Sequence, residues 1–316
     1  MIILPSLLLI APVKADVGSQ LAAIEAASKG KLGAAIVTPR SAHYSRKNER
    51  FSLQSVMKLV VSMAALDLVD RGKWKLDQKI TFRRSDLSLS VQPIADLLGK
   101  KQSVAVTPAQ CIEFTVTQSC SGAGDFLIRK MGGVQVVNNF LKKHNLTGMS
   151  VDRQERDLQT QIGGIRWKPE FINAAKLEAA FKAVPQAQKD AAYKRYQNDL
   201  RDTTTLAAMA SLLQKLITGK LLSPSSTKYL MGVMERTQTG PDRLQAGVKK
   251  GWTLGHKTGT SSSHRGVACA TNDVGFAKNA KGEWVIIVAL LKNSTLKYEE
   301  REAVLSRVAK VAFENR

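Results

Sequence analysis

Apolar and polar positions along the chain fall into alternating blocks of helical and strand period. Residues 19–28 and the run from Ser55 to Asp70, "SVMKLVVSMAALDLVD", have helical spacing, and Gly72 stands where a helix stop is expected. "KLGAAIVTP" (31–39) and residues near 42–48 predict two strands joined by a turn. The region 108–144 is mostly helical in pattern, punctuated by Gly132-Gly133. "TTTLAAMASLLQKLI" (203–217) predicts a helix that opens on threonines able to cap it. Towards the C-terminus, 252–258, 265–276 and 284–292 read as strands between turn residues, and 298–315 as a closing helix.

Strands near both ends with helices between them predict an α+β fold, a sheet assembled from both termini with a helical lobe inserted. No linker rich in Pro, Gly and Ser interrupts the chain. Residues 16–316 are therefore expected to form a single domain, with an α/β lobe of about 16–53 and 203–316 and a helical lobe of about 54–202. The opening stretch "MIILPSLLLIAPVKAD" holds an apolar run too short to span a bilayer. It ends in Val13-Lys14-Ala15, which suits a signal-peptidase cut, although no Lys or Arg precedes the run. The expectation is a signal peptide of about residues 1–15 and a periplasmic or secreted protein with no stable membrane anchor.

Composition narrows the classes. Of 316 residues, 44% are hydrophobic and 23% charged, which is globular rather than disordered. The net charge of +21 raises nucleic acid as a partner. The basic residues are scattered, however, with no aromatic-interleaved stripe, so a basic surface facing an acidic envelope is preferred and no nucleic-acid partner is expected. Four histidines show no HxH or HExxH spacing, so no metal and no cofactor is expected. The three cysteines include Cys120, inside "QSCSG" (118–122). No histidine lies near it in sequence to activate it as a nucleophile. Cys111 is nine residues away, about 13 Å along a helix, beyond disulfide reach.

Two stretches carry chemistry. Ser55-Val56-Met57-Lys58 puts a hydroxyl and an amine on one helical face, at a helix start where free N–H groups can hold an oxyanion. Lys257-Thr258-Gly259-Thr260 offers charge, hydroxyls and a glycine that admits close backbone approach. Alone, the first reads as a capping serine with a solvated lysine and the second as an ordinary strand end.

Their joint order changes this. Ser55xxLys58, a serine-bearing loop at 119–121 and Lys257-Thr258-Gly259 resemble the three boxes of the class A serine β-lactamases, within the penicillin-binding-protein-like serine hydrolases. The flanks "FSLQSVMKLVVSMAALDLVDRGKWKLDQKI", "RDTTTLAAMASLLQKLITGKLLS" and "TGPDRLQAGVKKGWTLGHKTGT" extend the resemblance over roughly residues 20–315. It implies the serine β-lactamase/transpeptidase-like fold, with a five-stranded antiparallel sheet flanked by helices and an inserted all-helical lobe. It also implies a small-molecule β-lactam substrate and a monomer.

By the same resemblance Ser55 is the acylated nucleophile, Lys58 its proton acceptor and Ser119 the relay to the leaving nitrogen. Lys257 and Thr258 hold the substrate carboxylate, and the N–H groups of Ser55 and Thr260, beside Gly259, form the oxyanion hole. Glu155 in "SVDRQERDLQ" activates the deacylating water. Arg243 stands where some members carry the arginine that clamps the substrate carboxylate, with Arg265 as the competing candidate; the alternative for both is a structural ion pair. "RWKPEFIN" (166–173) is a second, fainter match that puts Lys168 where the glutamate belongs; Asp152-Arg153 before and Leu158 after favour Glu155.

The chain departs from the pattern in two places. The usual Ser-Asp-Asn loop is Ser119-Cys120-Ser121, and Ser121 is too short to replace the substrate-binding asparagine fully, which predicts a weaker or narrower enzyme. Asp125 stands where many members have Asn. Glu155 and Arg201 are 46 positions apart, an insertion predicted as two short helices broken at Pro185 that is either a solvated appendage or a lid. The runner-up readings are a D-Ala-D-Ala peptidase, penicillin-binding or esterase-like hydrolase, and a non-catalytic β-lactam-binding protein.

Overall fold

A computed structural model of the protein describes residues 16–89 and 91–314. The expected signal peptide lies outside the described residues. Five antiparallel strands form one sheet, ordered 42–45, 31–37, 284–292, 271–279 and 252–260. The two ends of the chain meet inside it, where Ala34 pairs with Ala289 and Ala35 with Val288. The central strand Trp284–Lys292 ("WVIIVALLK") is apolar on both faces and divides two cores. Val285, Ile287, Ala289 and Leu291 share one core with Leu21, Ile24, Val304 and Val308 of the terminal helices Val17–Ala27 and Tyr298–Phe313. Ile286, Val288 and Leu290 belong to the other, with the helices of the middle of the chain.

The helix Met57–Asp70 runs through that second core, and every residue from Met57 to Asp67 is buried. A helix apolar all round is an interior helix. Three polar side chains are nevertheless buried on it, Ser62, Asp67 and, 2% exposed, Lys58. An ammonium there is tolerated only with partners, and those partners build the site described below.

Several boundaries differ from the sequence expectation for local physical reasons. Thr203–Thr205 is a strand paired with Arg50–Ser52, and the helix begins at Leu206. The threonine cap is real but later, with Thr205 Oγ1 accepting from the Ala208 N–H at 3.1 Å. The second of the three expected C-terminal strands starts at Thr271, not 265. Before it, Ser263–His264 and Val267–Ala268 form a two-residue hairpin that turns on Arg265 (φ +49°) and Gly266 (φ +77°). Two consecutive positive φ values make the primed type of turn, for which an arginine is a weak signal. The helix Pro108–Thr117 also stops before the loop, and Ser121–Met131 starts anew with the Cys120 thiol accepting from the Ala123 N–H. Cys111 and Cys120 are thus not on one helix. All three cysteines are nevertheless free and buried, and burial pushes the Cys111 thiol up to about 12 and raises that of Cys120.

The insertion is two helices, Ala174–Ala183 and Gln186–Gln197, broken at Pro185. Its second helix is docked, while its first has no buried residue. The Tyr193 hydroxyl lies 2.9 Å from the Ser262 carbonyl and 2.8 Å from that of Val267, and accepts from the Cys269 N–H at 2.9 Å. Asp190 accepts from Arg265 at 2.6 and 2.9 Å and bonds His264 Nε2 at 2.6 Å. Among the described residues no helix is long and apolar enough to cross a membrane.

Candidate active site

Ser55 sits on a short 3₁₀ turn (Gln54–Val56) that leads into the buried helix. Gln54, just before it, has φ +48°, and Ser119 in the facing loop has φ +58°. Non-glycine residues held in this region store strain, a common feature of functional sites. The strand Trp252–Thr260 abuts the turn so closely that a Cβ at Gly259 would meet the Leu53 carbonyl at 2.6 Å and the Val56 nitrogen at 3.1 Å. Gly259 is therefore required by the protein's own packing, and not only by access for a substrate.

Lys58 is the hub. Its Nζ donates to Ser55 Oγ at 2.8 Å and to Ser121 Oγ at 3.3 Å, and lies 3.2 Å from Glu155 Oε2. Glu155 is 4% exposed at the start of the helix Glu155–Ile162, and its Oε1 accepts from Gln159 Nε2 at 2.9 Å. Asp125 fixes this helix start. Its carboxylate accepts from the N–H groups of Glu155 (2.6 Å) and Arg156 (3.1 Å) and from the Ser88 hydroxyl (2.6 Å). Burial, and to a lesser degree the Glu155 charge, raises its pKa; three donors offset that cost.

On the opposite wall Lys257 Nζ donates to Ser119 Oγ and to the Thr258 carbonyl, each at 3.0 Å. Burial first, and then the Lys58 charge, push its pKa well below the usual lysine range. Ser55, Lys58, Ser119, Ser121, Glu155, Arg243, Thr258, Gly259 and Thr260 line one cavity of about 380 Å³. Every site residue expected from the sequence is in it or, for Lys257, bonded to its wall.

The two arginine candidates separate. Arg265 is bonded to Asp190 on the insertion and does not line this cavity. Arg243 does line it, 2% exposed, but all five of its N–H groups already have protein acceptors. Nε bonds Glu302 (3.0 Å), NH1 the carbonyls of Gly259 (3.4 Å) and Asn272 (2.9 Å), and NH2 Thr260 Oγ1 (2.8 Å) and Tyr298 OH (3.0 Å). The arrangement sets Thr260 and its strand in place and leaves no free fork for a bidentate clamp. Lys168, the alternative to Glu155, is exposed, 3.9 Å from Glu170 and absent from the cavity.

Sequence reasoning missed three contributors. Gln159 also donates to Gln54 Oε1 at 2.7 Å; its position four residues after Glu155 on one helix was the available signal. Tyr298 of the last helix lines the cavity. Tyr196 of the insertion accepts from Gln54 Nε2 and lies 2.8 Å from Ser52 Oγ. Nothing local in the sequence marks either tyrosine.

The arrangement is a hydroxyl on a strained turn, a buried amine touching it, a carboxylate touching the amine and a second buried amine across the cleft. Such a site can form and break a covalent acyl bond. Comparison with known proteins agrees. The model of the beta-lactamase enzyme family matches residues 16–315. Beta-lactamase VEB-1 of Pseudomonas aeruginosa is 27% identical over 290 residues, covering 91% of this chain and 86% of that protein. An ancestral (GNCA) class A beta-lactamase structure superposes with a TM-score of 0.75 at 29% identity, over 95% of this chain and 100% of that one. A beta-lactamase from Chitinophaga pinensis, at 24% identity, shares the fold with a TM-score of 0.78 over 95% of this chain and 98% of that one. The chain belongs to the β-lactamase enzyme family, as a member of its class A serine branch.

Proposed function

We propose that the protein hydrolyses the β-lactam amide through an acyl-enzyme on Ser55, which a Glu155-activated water then cleaves. The observation that carries this reading is the position of Lys58 Nζ, 2.8 Å from the nucleophile oxygen and 3.2 Å from the Glu155 carboxylate. A single amine touches the group that is acylated and the group that activates water.

In acylation Ser55 Oγ attacks the lactam carbonyl carbon and its proton passes to the Lys58–Glu155 pair. The carbonyl oxygen becomes an oxyanion held by the N–H groups of Ser55 and Thr260, each typically worth about 2.7–4 kcal/mol in such a hole. The C–N bond breaks, and the nitrogen takes, through Ser119, the proton that Ser55 gave to the Lys58–Glu155 pair, while Lys257 holds the Ser119 oxygen at 3.0 Å. Thr258, Thr260 and Lys257 face the substrate carboxylate, with Arg243 acting behind Thr260 as a positioning residue. In deacylation Glu155 takes a proton from water, the water oxygen attacks the ester carbon, and Ser55 leaves and recovers its proton through Lys58.

We also read residues 16–316 as one domain of two lobes, exported and monomeric. The experiment is to mix the protein with a chromogenic cephalosporin and follow colour and intact mass together. Sustained turnover that disappears in Ser55→Ala supports hydrolysis. A stable adduct without turnover in the wild type shifts the reading to a penicillin-binding or non-catalytic β-lactam-binding protein.

A further inference from the structure

Beside the catalytic cleft lies a second cavity, of about 450 Å³, joined to it through two shared lining residues, Gln159 and Ser262. One wall is the helix Glu155–Ile162 and its exit at Ile162–Gly163. The other walls come from the insertion, with Leu177, Phe181 and Tyr193, and from the hairpin at Ser262–His264. Phe181 packs so closely on the chain at Gly163 that a Cβ there would meet its ring at 2.2 Å. The cavity is therefore built by sequence that the insertion added, and it is held shut on one side by the Asp190 bonds to His264 and Arg265.

The lining is apolar and aromatic at depth and basic at the rim. Lys182 is 2.6 Å from Glu178, so that charge is neutralised. Lys189, half-buried, also lines the cavity and has no ion pair among the described residues. A pocket of a few hundred Å³ with apolar walls and one uncompensated charge selects ligands by shape and by one anionic group. What reaches it is set by chemistry. The substituent on the ring carbon next to the scissile carbonyl starts beside Ser55, and the continuous lining at Gln159 and Ser262 opens from there into this cavity.

We propose that this cavity is an acyl-side-chain subsite, built by the insertion, for β-lactams whose side chain joins an aromatic ring to a carboxylate. The ring packs against Phe181 and Ile162 and the carboxylate meets Lys189. This rests on the proposed hydrolysis and names the substrate class that the same site takes. The side chain adds binding that positions the carbonyl over Ser55, so it acts on kcat/KM rather than on the chemistry of the bond.

The test is kcat/KM at fixed ionic strength for three penams: 6-aminopenicillanic acid, its benzyl-acyl derivative and its α-carboxybenzyl-acyl derivative. Wild type is expected to prefer benzyl over the bare nucleus by at least tenfold, within the 10–200-fold that apolar pockets discriminate per group. α-Carboxybenzyl should gain a further threefold or more. Phe181→Ala should lower the benzyl-to-nucleus ratio about tenfold, and Lys189→Gln should abolish the gain from the carboxylate. If Phe181→Ala does not fold, the surface change Lys189→Gln decides alone through the carboxybenzyl-to-benzyl ratio. Turnover of all three penams with ratios that neither variant moves overturns the subsite and leaves hydrolysis standing. No turnover of any penam overturns both.

Discussion

The insertion reaches Glu155 through a chain of hydrogen bonds, and Tyr196→Phe tests whether that chain matters. The Tyr196 hydroxyl accepts from Gln54 Nε2 and bonds Ser52 Oγ at 2.8 Å; Gln54 Oε1 accepts from Gln159 Nε2 at 2.7 Å, and the same Nε2 donates to Glu155 Oε1 at 2.9 Å. The substitution keeps the ring and deletes one oxygen. Gln54 is fully buried, so its orphaned N–H costs about 1–3 kcal/mol, and the lost Ser52 bond about 0.5–1.5 kcal/mol. A loss of roughly 2–4 kcal/mol lowers the melting temperature by about 4–8 °C, at roughly 2 °C per kcal/mol for a chain of this size. With Gln54 free to turn, Gln159 loses its anchor and Glu155 one of its donors. A loss of roughly 1–1.8 kcal/mol in the deacylation transition state slows that step about 5–20-fold. The assays are a thermal melt and a single-turnover deacylation followed by intact mass. Unchanged melting refutes the stability reasoning, and lowered melting with unaltered deacylation refutes the coupling to Glu155.

Three further predictions follow from the same geometry. Ser121→Asn restores reach towards Lys58, now 3.3 Å away, and should raise kcat/KM about 3–10-fold, the equivalent of one neutral hydrogen bond of about 0.5–1.5 kcal/mol; no gain means the loop already satisfies the substrate. Arg243→Ala leaves Glu302, 6% exposed, buried without its partner, and should cost about 3–5 kcal/mol by urea midpoint; a loss below about 1 kcal/mol shows that the pair is effectively solvated. Arg265, followed by His264 and Gln186, holds the Asp190 carboxyl far below its ordinary range. Because its folded pKa is depressed, the contact contributes fully above the unfolded carboxylate pKa of about 3.9 and weakens as pH falls below it. Hydrogen exchange in 186–197 should therefore accelerate below about pH 4 in the wild type, and Asp190→Asn should exchange fast at all pH; a wild type flat with pH shows that Asp190 does not latch the insertion.

What was legible in the sequence was what is local. Ser55 and Lys58 share one helical turn, and Lys257 to Thr260 are consecutive on one strand, so spacing alone presents them together. The closing strands were legible because the central strand is buried on both faces and reads as an unbroken apolar run. The partners of Lys58, Ser121 and Glu155, were named only through the family resemblance, since they come from other elements and only the buried ammonium explains why they converge. The insertion's two helices were visible in its alanine-rich composition and Pro185, but Tyr193 and Tyr196 resemble any aromatic residue on a polar helix until the strand end they dock on is known. The hairpin at 263–268 hid because its turn uses Arg265 at positive φ. "QSCSG" resolves into two unequal halves: the Cys120 thiol is buried and caps a helix, while Ser121 meets Lys58 at the long end of hydrogen-bond range.

The central claim is that Glu155 frees Ser55 from its acyl group. Intact mass of the Glu155→Gln protein, sampled from milliseconds to hours after mixing with a benzyl-acyl penam, tests it most directly. The account predicts an adduct of one penam on Ser55 that forms and then persists, while the wild type returns to its free mass. A Glu155→Gln protein that sheds the adduct as fast as the wild type would contradict it.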